Sequence, residues 1–287
     1  MRYLDARPRL RSDIGLPDGR RLGYAEYGSP DGRPVLFVPG AATSAAMSFG
    51  GPLLPALGVR LVSVDRPGLG RSTGDPGGGF ASFGEDVAVL LDRLGLRDVA
   101  VVANSQGAPF AIACAGLPPV ASLTLVSPSD EVAHPAVREQ LPQDLGDLVD
   151  LVARDPVAAE TVLAGFDADR MLRLVLASAP ASDEPVYGDP GFIAVYRQAL
   201  EEGFAAGPEG YVRDTRLAMA PWALRLDAVP APVAVWMGAD DRSHSPDGGR
   251  FLACRLGGAH QVVPGVGGSL LWAHAATILA SLGPWFR

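Results

Sequence analysis

Lysine is absent from this chain: all 24 basic residues among its 287 are arginine. That excludes Schiff-base chemistry on a lysine side chain and leaves serine as the obvious nucleophile. Cysteine is scarce as well. Cys114 and Cys254 stand singly inside helical patterns, and the four histidines, His134, His244, His260 and His274, are scattered, so neither a disulfide framework nor a zinc site is expected. No apolar run is long enough and free enough of breakers to span a bilayer. The opening Met1-Arg2-Tyr3-Leu4-Asp5-Ala6-Arg7 lacks the apolar core of a secretory leader, and a cytoplasmic location is the expectation. The formal charge of -8 carries no concentrated basic face, which argues against nucleic acid or a membrane surface as partner. A neutral or apolar small-molecule substrate is expected, with no metal and no cofactor, bound by a monomer or homodimer.

The chain does have enough apolar residues, 48%, to build one large core or a core with an inserted subdomain. Its sharpest feature is Val99-Ala100-Val101-Val102-Ala103-Asn104-Ser105-Gln106-Gly107-Ala108. A β-branched apolar run ends at a small residue, a serine follows two places on, a glycine two after that, and an alanine-rich helical pattern begins. Such a strand-to-helix turn strains the serine and exposes its hydroxyl, and it needs small residues two places either side because strand and helix nearly touch. Ala103 and Gly107 fill those places. Before this turn, about 10–27 reads as a hairpin across Leu16-Pro17-Asp18-Gly19, 34–38 and 59–64 as buried strands, and 82–94 as an amphipathic helix. After it come a helix near 106–117 and a strand near 122–126. From 129 to 226 the pattern is helical, with no convincing strand. Alternation then resumes with strands near 232–237 and 261–263 and helices near 247–255 and 270–282. This order predicts an α/β fold with a mostly parallel sheet covered on both faces. The core is expected at 1–128 and 227–287 and a helical cap at 129–226, moving partly as a unit on hinges near Pro128 and Pro221.

Four motifs, in order and over nearly the whole length, resemble the α/β-hydrolase superfamily. Pro39-Gly40-Ala41 stands where that family usually has His-Gly-x after its third strand, and Asp65-Arg66-Pro67-Gly68-Leu69-Gly70-Arg71-Ser72 is similar to D-x-x-G-x-G-x-S. Ala103-Asn104-Ser105-Gln106-Gly107 matches the nucleophile elbow with alanine for the first glycine, and Trp236-Met237-Gly238-Ala239-Asp240-Asp241 resembles the G-x-x-D that supplies an acid. The resemblance implies Ser105 as nucleophile or hydrogen-bonding hydroxyl and Asp241 as acid, with Asp240 the alternative. It also implies an oxyanion hole from the backbone N–H groups of Gln106 and Ala41. Asp65 and Arg66 are expected to lock their loop by turn and salt-bridge contacts.

The fifth motif departs from the family. Members close to this pattern end with P-G-x-G-H, whose histidine is the general base, whereas this chain reads Val263-Pro264-Gly265-Val266-Gly267-Gly268-Ser269. Gly268 stands in the base's place and predicts a gap facing Ser105. Without an imidazole a serine hydroxyl is a poor nucleophile at neutral pH, so the leading expectation is non-hydrolytic chemistry on a small, largely apolar metabolite: cyclisation, isomerisation or a lyase step. Two alternatives stand beside it. One is a serine hydrolase of esterase or lactonase type with a relocated base, for which His244, three residues past Asp241, is the best substitute; the other is a non-catalytic ligand-binding protein. The expected pocket wall comprises Pro39, Gly40, Asn104, Gly268 and Ser269, with His134 and Trp222 above it. Of the cap aromatics Phe166, Tyr187, Phe192, Tyr196, Phe204, Tyr211 and Trp222, two or three are expected to line the site.

Overall fold

The computed structural model describes residue 4 and residues 7–283, so most of the stretch read above for a leader lies outside the described residues. Eight strands form one sheet: β1 (Leu10–Gly15), β2 (Arg21–Gly28), β3 (Arg33–Val38), β4 (Val59–Val64), β5 (Val99–Ser105), β6 (Val120–Pro128), β7 (Val233–Gly238) and β8 (Ala259–Val263). Their spatial order is β1-β2-β4-β3-β5-β6-β7-β8. The pairs β1/β2 and β2/β4 are antiparallel and all others parallel. The central strands β3 and β5 are apolar over nearly their whole length because both their faces are covered.

Ahead of β4 lies a short helix the sequence pattern does not reveal, α1 (Leu53–Ala56); α2 (Phe80–Arg93) precedes β5, and α3 (Ala108–Cys114) follows it. Alternate residues of the central strands enter two apolar clusters, one on each face. Leu36, Val38, Val99 and Val101 pack with Phe83, Val87 and Leu90 of α2; Val35, Phe37, Ala100 and Val102 enter the other.

Between β6 and β7 the described residues hold helices and no strand: α4 (Pro135–Arg138), α5 (Gln143–Arg154), α6 (Pro156–Leu163), α7 (Ala168–Ser178), α8 (Glu184–Tyr187), α9 (Pro190–Gly203) and α10 (Glu209–Met219). Aspartates start three of them. Asp155, Asp167 and Asp189 accept the N–H of Ala158, Arg170 and Phe192 at 3.1, 2.7 and 2.8 Å, satisfying donors that a helix start leaves open. The chain closes with α11 (Arg250–Arg255), α12 (Leu270–Ala273) and α13 (Ala275–Ser281). The single closing helix expected from the sequence is interrupted at His274, whose φ of -118° and ψ of 29° leave the helical range. Among the described residues no helix is long and apolar enough to cross a membrane.

Candidate active site

β5 ends in Ser105, whose φ of 52° is left-handed, a conformation that costs a non-glycine residue about 1–3 kcal/mol. Gly107 makes the turn possible: a Cβ there would fall 2.3 Å from the Val38 carbonyl oxygen and 2.6 Å from that of Pro39. Two places before the serine, Ala103 is fully buried with its methyl group accommodated. Gly40 brings the β3 loop onto the turn, since a Cβ on it would lie 3.3 Å from Ser105 Cβ. The backbone N–H groups of Ala41 and Gln106 make no hydrogen bond with any described residue, and both residues line one cavity with Ser105. Donors left open in this way are what an oxyanion hole requires. Asp65 and Arg66 brace the loops. Asp65 accepts the N–H of Ala45 at 2.5 Å and of Arg71 at 3.0 Å, while burial pushes its carboxyl above the usual range despite those donors. Arg66, fully buried, donates to the carbonyls of Pro39 and Gly40 and to Asp214.

The loop after β7 folds back on its own acid. Asp241 Oδ1 accepts the N–H of Ser243 at 3.0 Å and of His244 at 3.3 Å, and its Oδ2 lies 2.8 Å from His244 Nδ1. It is therefore Asp241, not Asp240, whose carboxylate meets an imidazole. Burial pushes the Asp241 carboxyl up, but the charge and hydrogen bond of His244 and the two backbone donors outweigh it and bring it down to about 2. For His244 burial acts downward, yet the Asp241 carboxylate, aided by the charge of Asp183, holds the imidazole above its ordinary value. With Nδ1–H donating to the carboxylate, Nε2 is the basic nitrogen. The His244 side chain keeps 20% of its surface exposed, against 1% for Asp241.

The gap expected beside Gly268 is filled by this ring. A Cβ on Gly268 would lie 3.0 Å from His244 Cε1, 3.4 Å from Nδ1 and 3.7 Å from Asp241 Oδ2. An imidazole from the loop after β7 thus covers the glycine on the loop after β8. Parallel pairing of β7 with β8 brings the two loops side by side, and the Oδ1 contacts turn residue 244 inward.

The cavity, about 660 Å³, lies among the β3, β5, β6 and β7 loops and the inserted helices. Gly40, Ala41, Asn104, Ser105, Gln106, His244 and Gly268 line it, together with Phe166, Tyr187, Tyr196 and Tyr211. The other expected wall residues lie elsewhere, each for a local reason. Pro39 is buried, with its carbonyl accepting from Arg66. Ser269 is fully buried and donates its hydroxyl to Asp183 at 2.6 Å. His134 caps α4, accepting the Ala136 N–H at 3.2 Å, and packs on Phe251 with ring centroids 4.8 Å apart. Trp222 donates its indole N–H to the Ala218 carbonyl at 3.0 Å and meets Phe80 edge-on. Phe192 and Phe204 pack behind the wall, against Trp272 and Tyr211. His260 bonds the Gly248 carbonyl at 2.8 Å, outside the cavity.

Asp130, Asp183 and Thr215 are among the wall residues that escape the sequence reading. Asp130 is a buried carboxylate just beyond β6, its carboxyl pushed up by burial although Ser245 donates to it at 2.9 Å; its place at a strand's C-terminal end is the signal that marks it. Asp183 accepts the N–H of Gly267 at 2.8 Å and of Ser269 at 3.2 Å, steadying the loop that carries Gly268. Thr215 accepts from the Gln106 side chain at 3.1 Å. Neither Asp183 nor Thr215 belongs to a local motif.

The sequence matches the alpha/beta hydrolase fold family over residues 33–275. It is 34% identical over 112 residues to an uncharacterised hydrolase, YcgS, of Bacillus subtilis (strain 168), the match covering 38% of this chain and 39% of that protein. The chain thus spans about two fifths of the length of the curated relative it matches. Among solved structures it is similar to a hydrolase from Pseudomonas aeruginosa PA01, at 21% identity over 96% of this chain and 99% of that one with a TM-score of 0.68. It is also similar to the enol-lactonase from Burkholderia xenovorans LB400, at 18% identity over 93% and 96% with a TM-score of 0.64. At these identities the structural likeness is one of fold. With 243 consecutive residues (33–275) matched to the family and the strand order and serine turn described above, the chain belongs to the alpha/beta hydrolase fold family.

Proposed function

We propose that the protein is a serine hydrolase acting on esters or lactones of small, neutral, largely apolar molecules. The observation that carries this reading is the 2.8 Å contact of His244 with Asp241 over the bare face of Gly268. Non-hydrolytic chemistry rested on a missing imidazole, and that premise falls away with His244 in this position. In this reading Ser105 Oγ attacks the substrate carbonyl while His244 Nε2 takes its proton, and Asp241 stabilises the imidazolium that forms. The N–H groups of Ala41 and Gln106 receive the developing oxyanion. His244 then returns the proton to the leaving oxygen, and water repeats the sequence on the acyl-serine. The apolar wall of Leu145, Leu148, Phe166, Met171 and Val175 suits an acyl or alkyl group.

The test uses short-chain nitrophenyl esters and a slow acyl substrate. Wild-type protein is expected to hydrolyse the esters and to gain the acyl mass on Ser105. Ser105→Ala is expected to lose turnover by about four orders of magnitude or more. Turnover without an adduct, reduced only about a hundred- to a thousandfold in Ser105→Ala, is the value of one oxyanion donor and identifies a positioning hydroxyl. Binding with no turnover identifies a ligand-binding protein.

A further inference from the structure

We infer that helix α10 sets both halves of the oxyanion hole, Asp214 acting through Arg66 on Ala41 and Thr215 acting through the Gln106 side chain. The inference rests on the reading of the Ala41 and Gln106 amides as oxyanion donors. Residues 214 and 215 are neighbours on one helix, yet each reaches a different donor.

On the first path, Arg66 Nε donates to Asp214 at 2.6 Å, and both side chains are wholly excluded from solvent. The guanidinium lies 5.1 Å from the centre of the Phe110 ring. Its remaining nitrogens donate to the carbonyls of Pro39 and Gly40, the latter at 2.9 Å. No described peptide bond is cis, and a trans peptide is planar with its C=O and N–H pointing opposite ways. Fixing the Gly40 oxygen therefore aims the Ala41 N–H. A cation on the carbonyl side also polarises that amide and strengthens its N–H as a donor. A fully buried ion pair is weak evidence of stabilisation, since apolar replacements often serve as well; geometry at the loop is what this one supplies.

On the second path, Gln106 Nε2 donates to Thr215 Oγ1 at 3.1 Å. Gln106 is buried and its Oε1 has no partner among the described residues, so Thr215 is the one polar hold they give this side chain. That hold acts on the residue directly after the strained Ser105.

α10 is itself closely seated. A Cβ on Gly210 would fall 2.5 Å from the Gly68 carbonyl oxygen, and Arg213 reaches Asp214 Oδ1 at 3.2 Å and the Asp75 carbonyl at 3.4 Å. The two donors are in register only while α10 is docked.

Both variants keep side-chain size: Thr215→Val removes the acceptor for Gln106, and Asp214→Asn removes the negative charge and one of the two oxygens that accept from Arg66 and Arg213. Each variant is expected to lower kcat by roughly ten- to a hundredfold, the cost of a misplacement of about 1 Å, with KM within about twofold of wild type. Affinity for a trifluoromethyl ketone, whose adduct places an oxyanion in the hole, falls by the same factor as kcat/KM. In 15N spectra the Ala41 amide shifts and exchanges faster in Asp214→Asn, and the Gln106 amide does so in Thr215→Val. Should Asp214→Asn fail to fold because the buried Arg66 cation loses its counter-charge, Thr215→Val decides. Unchanged amides with unchanged kcat overturn the inference, and so does a loss confined to KM or melting temperature. A wild-type protein that hydrolyses nothing overturns the hydrolase reading instead, while the amide signals still decide this one.

Discussion

Asp241 uses its two oxygens for different tasks: Oδ1 bends the loop through two backbone N–H groups, and Oδ2 holds the imidazole. On the proposed mechanism the pair sets the pH response of the rate, and its titration contributes to that of stability. A base must be unprotonated to take the serine proton, so kcat/KM is expected to rise with pH through an acid limb above the ordinary imidazole value of about 6.5. In Asp241→Asn the carboxylate that raises His244 is gone and burial still acts downward, so the limb moves to lower pH. The plateau falls by roughly three to four orders of magnitude. A pH–rate profile checks both, and a limb that stays in place in Asp241→Asn removes His244 from the mechanism. Stability runs the other way. The folded Asp241 titrates at about 2, below its unfolded value of about 3.9, so its contribution is present above that value and is lost as pH falls through 2. The folded His244 titrates above its unfolded value of about 6.5, so its contribution is complete below that and is lost as pH rises through the folded value. The pair therefore stabilises the fold most between about 4 and 6.5, where the imidazole is protonated and least able to act as base.

At the scale of elements, the inserted helices divide into a docked group and a freer one. α9 is held to the β3 loop by the Ser44 N–H on the Ala199 carbonyl at 3.0 Å and by Glu202, which takes the Ser44 hydroxyl at 2.9 Å and Arg11 at 2.8 Å. Gly203 lets the Ala42 carbonyl approach where any Cβ would collide with it. α10 is fixed through Arg66, and the turn before α8 through Asp183. By contrast α5 and α6 pack on each other and on α10, with an exposed Arg216–Glu160 pair at 3.3 Å between α10 and α6, and surface pairs of that kind are worth little. Hydrogen exchange is therefore expected to be faster in 143–163 than in 190–219. Equal rates across the insertion would instead favour the hinged unit expected from Pro128 and Pro221. The helical character of 129–226 is legible in the sequence, because a proline- and alanine-rich stretch with no strand alternation is a local signal. Docking was not legible, since Arg66 and Asp214 meet across 148 positions with nothing in either segment to announce the other. The site divides in the same way. Ser105, Gly107 and Asp241 are readable because a sharp turn and a strand-end acid need fixed residues at fixed spacing. The ring of His244 on Gly268 depends on two loops meeting in space, and Ser269, His134 and Trp222 lie off the wall because packing and capping claim them.

For the molecule as a whole, the hydrolase reading makes charge an expected filter on the substrate ahead of the chemistry. The chain carries a formal charge of -8, and Asp130, Asp144 and Asp183 contribute carboxylates to the cavity wall against a single arginine, Arg242. That arginine turns back onto its own loop, with Nη1 3.3 Å from the Ala239 carbonyl and 3.5 Å from that of Asp241. An anionic substrate is therefore expected to meet like charge from the chain as a whole and again from the cavity wall. Two unit charges about 8 Å apart at an effective dielectric constant of about 20 repel by roughly 2 kcal/mol, more than tenfold in kcat/KM. The diester of a short dicarboxylic acid is expected to be hydrolysed at least about tenfold more efficiently than its half-ester, which has the same reacting bond and one free carboxylate. Raising the salt from about 0.01 to 0.15 M shortens the Debye length from about 30 to 8 Å and should narrow that ratio by screening the long-range part, leaving the share that comes from the cavity wall. Equal kcat/KM for diester and half-ester at low salt would show that the wall carboxylates lie too far from the bound substrate, or are too well neutralised by their donors, to select it.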